Sequence, residues 1–197
     1  MDRKAITKAE SRLVTAREAA NALASCKNHE EFGRRWYVFL VSAKNVYTTL
    51  EKGSRENAKS RQWWFSEKKA ERFDDPLLQY LFQARDDDEH GLEPVTEFVP
   101  ESVGLGAAGP GLSRAIRFQS NGDGVFRVTS LDGLPVGVRH EKAHIKLSPV
   151  TARGGIVYTP PTMHKGQRIA DPSPAGCAAL ALAYLSELIE EARKRAM

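Results

Sequence analysis

The sequence has few cysteines and no long apolar run. Its two cysteines, Cys26 and Cys177, form no CxxC pair, which argues against a disulfide scaffold or a standard zinc motif. We therefore expect reduced thiols in a cytoplasmic protein. The longest apolar run, near residues 178–185, is too short to span a bilayer. The charged start, MDRKAITKAESR, lacks the apolar core of a signal peptide, so no membrane association is expected.

A strong excess of one charge is also absent. The net charge is +4 and the sequence pI about 9.1, which permits a nucleic-acid partner without requiring one. No internal repeat is present. The 197 residues are 41% apolar and 27% charged, the composition of an ordinary globular protein with a hydrophobic core.

Apolar residues recur at helical spacing through the first 90 residues and predict four amphipathic helices. Asn28, with Glu31 three residues later, resembles a capping box, and Ser54 is the predicted cap of the third helix. Asp75 as N-cap and Pro76 as first residue begin the fourth. The predicted helices cover approximately residues 3–26, 28–53, 54–72 and 75–90.

The pattern changes after Gly91. GLGAAGPG, residues 104–111, matches GxGxxG, but no helix pattern follows Pro110 and Gly111, so we predict a loop and not a dinucleotide site. Alternation of apolar and polar residues then predicts strands near 116–119, 126–129, 144–147 and 155–159. The NGDG of residues 121–124 is a hairpin signal.

These patterns predict an α+β protein with a small antiparallel sheet between two helical parts. The last helix begins with Ser173 as cap and Pro174 as first residue, and its docking on the bundle or on the sheet stays open. The predicted organisation is a four-helix antiparallel bundle over 1–91, a Pro/Gly-rich linker over 92–111, a basic β region over 112–170 and a C-terminal amphipathic helix over 171–197.

The end of the fourth predicted helix carries the motif R-x4-H. Arg85 and His90 form it, and a polar residue, Asp86, directly follows the arginine. In this arrangement the chain resembles the HEPN superfamily of helical-bundle proteins, whose signature is R-x(4–6)-H. The resemblance covers roughly residues 1–91 and leaves the β region unexplained.

The resemblance implies one of two functions. Active members of the superfamily are metal-independent ribonucleases that dimerise so that two motif copies share one cleft. Other members have lost catalysis and act in binding or assembly. By implication this chain is an RNA-binding homodimer, with a protein partner as a further option and no cofactor.

The motif residues suit cleavage of RNA. His90 can take a proton from a ribose 2′-OH or give one to the leaving oxygen. Asp86 can orient the imidazole, and Arg85 can place its guanidinium on the phosphate. Five residues rotate a helix by about 140°, so one copy cannot easily aim both groups at one atom. Two copies with facing helices remove that difficulty.

Other interpretations of the same residues stay open. Arg85 can pair with Glu89 at the next turn, and the acidic run can be a solvated helix end. Alternatively, residues of this last turn can bind a divalent cation through Asp86, Asp88, Glu89 and His90, although a helix splays consecutive carboxylates.

A second R-x4-H, Arg139 to His144, lies in the strand-rich region. His140 and His144 have zinc-like spacing without a second ligand pair.

The β region is basic. Residues 102–170 contain nine lysines and arginines against three acidic residues, which favours binding to RNA phosphates. No aromatic residue is evident for base stacking on the predicted basic face. We predict an RNA-binding protein with possible endonucleolytic activity, or alternatively a non-catalytic interaction protein whose helical bundle binds a partner or a second copy of the chain. The basic face is predicted to carry Arg117, Arg127, Lys146 and His144.

Overall fold

A computed structural model describes residues 1–90, 94–105, 110–120, 122, 126–152 and 154–196, with the side chains of Glu89 and His90 excepted. Helices occupy the first 90 residues, short strands follow, and a long helix closes the described chain. The α+β class and this element order are confirmed. None of the described helices is long and apolar enough to cross a membrane.

The first two predicted helices are confirmed. Helix α1 is Arg3–Ala22 and ends in a 3₁₀ turn, Leu23–Ser25; helix α2 is His29–Ser54. The Asn28 side chain accepts the Glu31 N–H at 2.8 Å, as the capping pattern predicted. The two helices pack closely where α1 begins, because Gly53 has no side chain to separate them: a Cβ there would clash with that of Ala5.

The predicted third helix is divided, so five helices precede the first strand and the four-helix bundle is not confirmed. Helix α3 is Ala58–Trp63, a π-helical segment covers Trp64–Lys68, and helix α4 is Lys69–Asp74. Trp63 and Trp64 are both buried, with ring centroids 5.6 Å apart. In an α-helix, side chains of consecutive residues point about 100° apart, which makes it difficult to bury both indoles in one core. The wider π turn that begins at Trp64 is where the structure buries both.

The cap of this segment was also predicted wrongly. The Ser54 hydroxyl donates to the Glu51 carbonyl within α2, and Asn57 accepts the Ser60 N–H at 2.8 Å as the actual cap of α3. A serine near the end of a helix often bonds back to the preceding turn. Because the Ser54 hydroxyl bonds back to α2, it does not cap the following helix.

Helices α5 and α6 begin where the sequence predicted. Helix α5 is Pro76–His90, and Asp75 accepts the Leu78 N–H at 3.0 Å. Helix α6 is Pro174–Lys194, and the Ser173 hydroxyl accepts the Gly176 N–H at 3.1 Å. Helix α6 packs against α1, α2 and α5. This contact resolves the open choice in favour of docking on the helices.

The strands form five two-stranded pairs among the described residues, not one small sheet. They pair as β1 with β6, β2 with β5, β3 with β4, β7 with β8 and β9 with β10, the last four antiparallel. Strands of two to five residues have few ladder bonds with which to extend a sheet. Their bounds are β1 Thr96–Val99, β2 Ser102–Leu105, β3 Ile116–Ser120, β4 Phe126–Ser130, β5 Val138–Glu141, β6 His144–Leu147, β7 Val150–Thr151, β8 Val157–Tyr158, β9 Met163–His164 and β10 Gln167–Arg168.

Two features of the β region differ from expectation. Within the Gly-rich stretch, Gly104 and Leu105 belong to β2, while residues 106–109 lie outside the described part of the chain. The β9–β10 hairpin was not predicted. Its two-residue turn, Lys165 and Gly166, has φ of 48° and 73°, the left-handed conformation that two-residue hairpins require.

The chain divides into two compact units, 1–97 with 145–197 and 98–144. In the first unit, the core lies between α1, α2, α5 and α6. Buried residues from the strand-bearing segments, such as Leu147 and Val150, complete it. Within this same unit, the Tyr80 hydroxyl of α5 donates to the Ser148 carbonyl, between β6 and β7, at 2.6 Å. The main core cluster contains Ala16, Ala19, Leu23, Phe32, Trp36, Phe39, Leu40, Leu77, Tyr80, Leu81, Ala84, Val95, Leu147, Val150, Ile169, Cys177, Ala178 and Ala181.

Candidate functional site

The predicted motif residues lie in the second half of α5, where this helix packs on α2. The Asp86 carboxylate oxygen Oδ1 accepts from Lys44 Nζ of α2 at 2.5 Å and from the Arg85 guanidinium at 3.0 Å. The side chains of Lys44 and Arg85 are only 17% and 22% exposed. The site is therefore a half-buried cluster of two cations around one carboxylate.

The ring of Phe82 supports Lys44 of this cluster. Lys44 Nζ lies 4.0 Å from the Phe82 ring centroid, and the guanidinium carbon of Arg72, from α4, lies 3.9 Å from the same centroid. A cation near a ring face is attracted by the ring quadrupole. Phe82 thus contacts both Lys44 of the cluster and Arg72 of α4.

Asp86 is an anion in this environment. Burial alone would raise the pKa of Asp86, but the hydrogen bonds and charges of Lys44 and Arg85 outweigh it and hold that pKa below its ordinary value. The carboxylate is thus occupied by cations. Its predicted contact with His90 involves a side chain outside the described residues.

The acidic residues of the last turn have separate environments. Asp87 accepts the Thr151 N–H at 2.9 Å and so anchors β7 to α5. Burial, with the nearby charge of Asp87, raises the pKa of Asp88, which lines a cleft of about 690 Å³ that also contains His29 and Thr96. Glu89, the alternative partner of Arg85, has a side chain outside the described residues. In the part of the chain that the structure describes, no cluster of three or more His, Cys, Asp or Glu suits a metal ion.

The four predicted basic-face residues lie on two different strand pairs. Gln119 is opposite Arg127 and Arg117 is opposite Thr129, so the two arginines share one face of the β3–β4 hairpin. Lys146 and His144 lie in β6, which pairs with β1. The structure therefore joins Arg117 with Arg127 but does not place all four residues on one sheet.

Local partners of these residues also differ. Lys146 forms an ion pair with Glu97 at 3.2 Å, and the His144 ring nitrogen Nδ1 lies 3.0 Å from the Lys142 carbonyl. His140, considered as half of a zinc pair with His144, instead lies 2.5 Å from the Glu101 carboxylate. Among the described residues, Arg117 and Arg127 form no ion pair, so both guanidinium groups are available to an anionic ligand.

A second polar centre has no counterpart among the sites predicted from the sequence. His164 Nδ1 lies 3.0 Å from both carboxylate oxygens of Asp75, and the Lys165 N–H donates to Asp75 Oδ2 at 2.7 Å. Burial alone would raise the pKa of Asp75, but the N–H donors of Lys165 and Leu78 and the His164 ring lower it below its ordinary value. The local signal for it is Gly166 in the HKG sequence of residues 164–166, because glycine favours the second position of a two-residue hairpin turn.

This centre borders a cleft of about 800 Å³ in the first unit. Lys68, which is buried, contacts Glu71 and Glu191, each at 2.9 Å, and the Tyr184 hydroxyl donates to Glu71 at 3.1 Å. Burial would lower the pKa of Lys68, but both carboxylates raise it, so the amine stays charged. The cleft walls carry more carboxylates than amines, an environment that repels phosphate.

Comparisons with known proteins give no independent assignment. No protein-family model matches the chain, and neither a curated protein nor a solved structure is significantly similar to it.

Proposed function

We propose that this chain is a HEPN-like RNA-binding protein in which the α2–α5 cluster contacts RNA and Arg85 and His90 of two copies cleave it without a metal. The observation that carries the proposal is the half-buried Arg85 guanidinium, held on Asp86 beside Lys44. Lys44 and Arg85 are two cations on adjacent helices that can each contact a phosphate oxygen. Such a cluster attracts a phosphodiester.

The ion pairs provide a mode of phosphate binding. A phosphate oxygen can take the place of Asp86 on the Arg85 guanidinium, which is suited to two parallel hydrogen bonds. Lys44 keeps Asp86 neutralised when this exchange occurs. The guanidinium then offsets the charge that develops on the phosphate as the bond breaks.

The proposed cleavage uses the ribose 2′-OH as nucleophile. His90 takes the 2′-OH proton, the 2′-oxygen attacks the adjacent phosphorus, and the protonated His90 gives that proton to the 5′-oxygen as its bond to phosphorus breaks. The products are a 2′,3′-cyclic phosphate and a 5′-hydroxyl. Because Arg85 and His90 are five residues apart on one helix, the proposal includes a homodimer in which each active centre takes one group from each copy.

The β residues would hold RNA away from the cleavage point. Arg117 and Arg127 share a face with Gln119 and Thr129, so this face offers two charged and two neutral hydrogen-bonding groups. Lys146 and His144 would add a second phosphate contact from β6. Free thiols at Cys26 and Cys177 fit the cytoplasmic location that belongs to the same proposal.

An interaction protein without catalysis is the second candidate. It is favoured by the exposed apolar side chains of residues 98–144, which include Phe118 and Phe126. Large exposed apolar patches are typical of protein-binding surfaces. Under this alternative the Arg85–Asp86–Lys44 cluster only joins α2 to α5.

The test is RNA cleavage in EDTA by the purified chain and by Arg85→Ala and His90→Ala. We expect both variants to lose at least about a hundredfold in rate. Arg34→Ala is the matched control, because Arg34 is exposed and pairs with Glu30 one turn earlier. Cleavage that persists in both variants overturns the catalytic proposal. RNA retention that weakens with salt, without cleavage, leaves the binding proposal alone.

A further inference from the structure

An arginine of α4 is held by aromatic rings. The guanidinium carbon of Arg72 lies 3.9 Å from the ring centroid of Phe82, 4.3 Å from that of Phe73 and 5.4 Å from that of Tyr47. Among the described residues Arg72 forms no ion pair, and its buried Nε–H has no hydrogen-bond partner. Because aromatic rings attract a cation without neutralising it, the charge of Arg72 is available to an anionic ligand.

The ring of Phe73 offers a free surface beside this arginine. The guanidinium of Arg72 lies over the ring, yet 48% of Phe73 is exposed, so part of the ring remains accessible. A flat ring of this kind can stack a second flat ring. Aromatic side chains and arginine planes are the surfaces on which proteins stack the bases of single-stranded RNA.

This aromatic surface is connected to the α2–α5 cluster. Lys44 Nζ lies 4.0 Å from the centroid of Phe82, the same ring that contacts Arg72. Lys44 also donates to the Asp86 carboxylate, which accepts from Arg85. Helices α2, α4 and α5 therefore each contribute one cation to a connected set of contacts that includes an exposed ring.

We propose that Phe73 stacks a base of single-stranded RNA while Arg72 and Lys44 contact the adjoining phosphate. This inference rests on the RNA binding proposed for the α2–α5 cluster and names the form of RNA that the cluster takes. Single strands expose unstacked bases, whereas the bases of a duplex are stacked on each other. Every base has a π face, so stacking on Phe73 is expected to accept any base.

The size of the exposed surface favours a nucleobase over a protein partner. A protein interface of standard size takes about 800 Å² from each partner, far more than one phenyl ring can offer. A single ring instead matches a single base. The cations beside the ring supply the phosphate contacts that a nucleotide requires.

Fluorescence anisotropy of a labelled single strand of 2′-O-methyl RNA, measured in EDTA with the full chain, tests the proposal. This RNA lacks the free 2′-OH that the proposed cleavage uses, so it reports binding alone. One strand carries uracil throughout, and a second strand of equal length is abasic. We expect the chain to bind the uracil strand at least about fivefold more tightly. Phe73→Leu, which keeps an apolar side chain, is expected to remove this difference by weakening binding of the uracil strand only.

Three further variants serve as controls. Phe73→Tyr retains a flat ring and is expected to keep the wild-type preference for the uracil strand. Arg72→Gln removes a phosphate contact and is expected to weaken the binding of both strands. Phe65→Leu is the matched control, because Phe65 is 40% exposed and has a cation, Lys69 Nζ, 5.4 Å from its ring centroid. This variant is expected to bind both strands as the wild type does.

Three outcomes overturn the proposal. Equal affinity of the wild type for the two strands excludes base stacking. An equal loss on both strands in Phe73→Leu means that the ring has only a structural role, and the same loss in Phe65→Leu means that the effect is not specific to Phe73. Binding of neither strand overturns the proposed RNA binding as well.

Cleavage of unmodified RNA in EDTA separates this inference from the proposed catalysis. If the uracil preference depends on Phe73 but no cleavage occurs, base stacking stands and the catalytic role of Arg85 and His90 is excluded. If cleavage depends on Arg85 and His90 but the wild type shows no uracil preference, catalysis stands and base stacking is excluded.

Discussion

The Asp75 carboxylate joins three parts of the first unit. It caps α5 through the Leu78 N–H, contacts the His164 ring and accepts the Lys165 N–H of the β9–β10 turn. Its side chain is only 10% exposed. A carboxylate with this many donors is held in its ionised form, and its loss leaves several buried groups without partners.

We predict that Asp75→Ala lowers the free energy of unfolding by about 2–4 kcal/mol, since both a helix cap and a buried pair are removed. Asp75→Asn retains the cap and is expected to lose less. Urea unfolding measures both. Asp74→Ala is the matched control, because the neighbouring Asp74 is exposed, and its effect is expected to stay within about 0.5 kcal/mol.

The lowered pKa of Asp75 predicts a pH dependence. Because the folded-state pKa lies below the unfolded value of about 3.9, the stabilisation is complete above that value and disappears as the pH falls through the folded-state pKa. The stability difference between wild type and Asp75→Asn is therefore expected to shrink below about pH 4. A difference that is constant from neutral pH into this acid range would contradict the assignment.

At the scale of elements, replacing each of two α2 glycines by alanine is expected to change the stability of the fold in opposite directions. A Cβ on Gly53 would clash with the Cβ of Ala5 in α1, whereas one on Gly33, also in α2, would meet no atom within 4 Å. Gly53→Ala is expected to destabilise by about 1–3 kcal/mol. Gly33→Ala is expected to stabilise by about 0.5–1 kcal/mol because it improves helix propensity. Thermal unfolding of the two variants measures both changes. Equal changes in stability would contradict the close α1–α2 contact at Gly53.

Local signals predicted the elements well, and contacts distant in sequence were not predicted. The caps Asn28, Asp75 and Ser173 act within three residues of themselves, so the sequence predicts them. The division of the third helix depends on burying Trp63 and Trp64 together, which requires the assembled core. The alternation of residues 116–129 predicted a hairpin but not that its phenyl rings stay exposed.

The candidate site shows the same limit. Arg85 and Asp86 are neighbours in sequence, so the sequence predicts that both belong to the same polar cluster. Lys44, which contacts the same carboxylate, lies 42 residues earlier and becomes a partner only through α2–α5 packing. The contact between Asp75 and His164 spans 89 residues and has no sequence signal except the short turn.

For the whole molecule, the division at residues 97 and 145 predicts that the helical unit folds alone. It contains every described apolar side chain that is buried. Replacing residues 100–142 by a flexible Gly/Ser linker is expected to preserve helical circular dichroism and a cooperative unfolding transition. Loss of cooperativity would mean that 98–144 contributes to the core.

The shared carboxylate of Asp75 also has a consequence for the order of folding. Its bond to the start of α5 closes a loop of only three residues, whereas its bonds to the β9–β10 turn close one of about ninety, and ordering the longer loop is slower. During refolding, α5 should therefore acquire its cap first, and the turn should attach later to an anchor that is already in place.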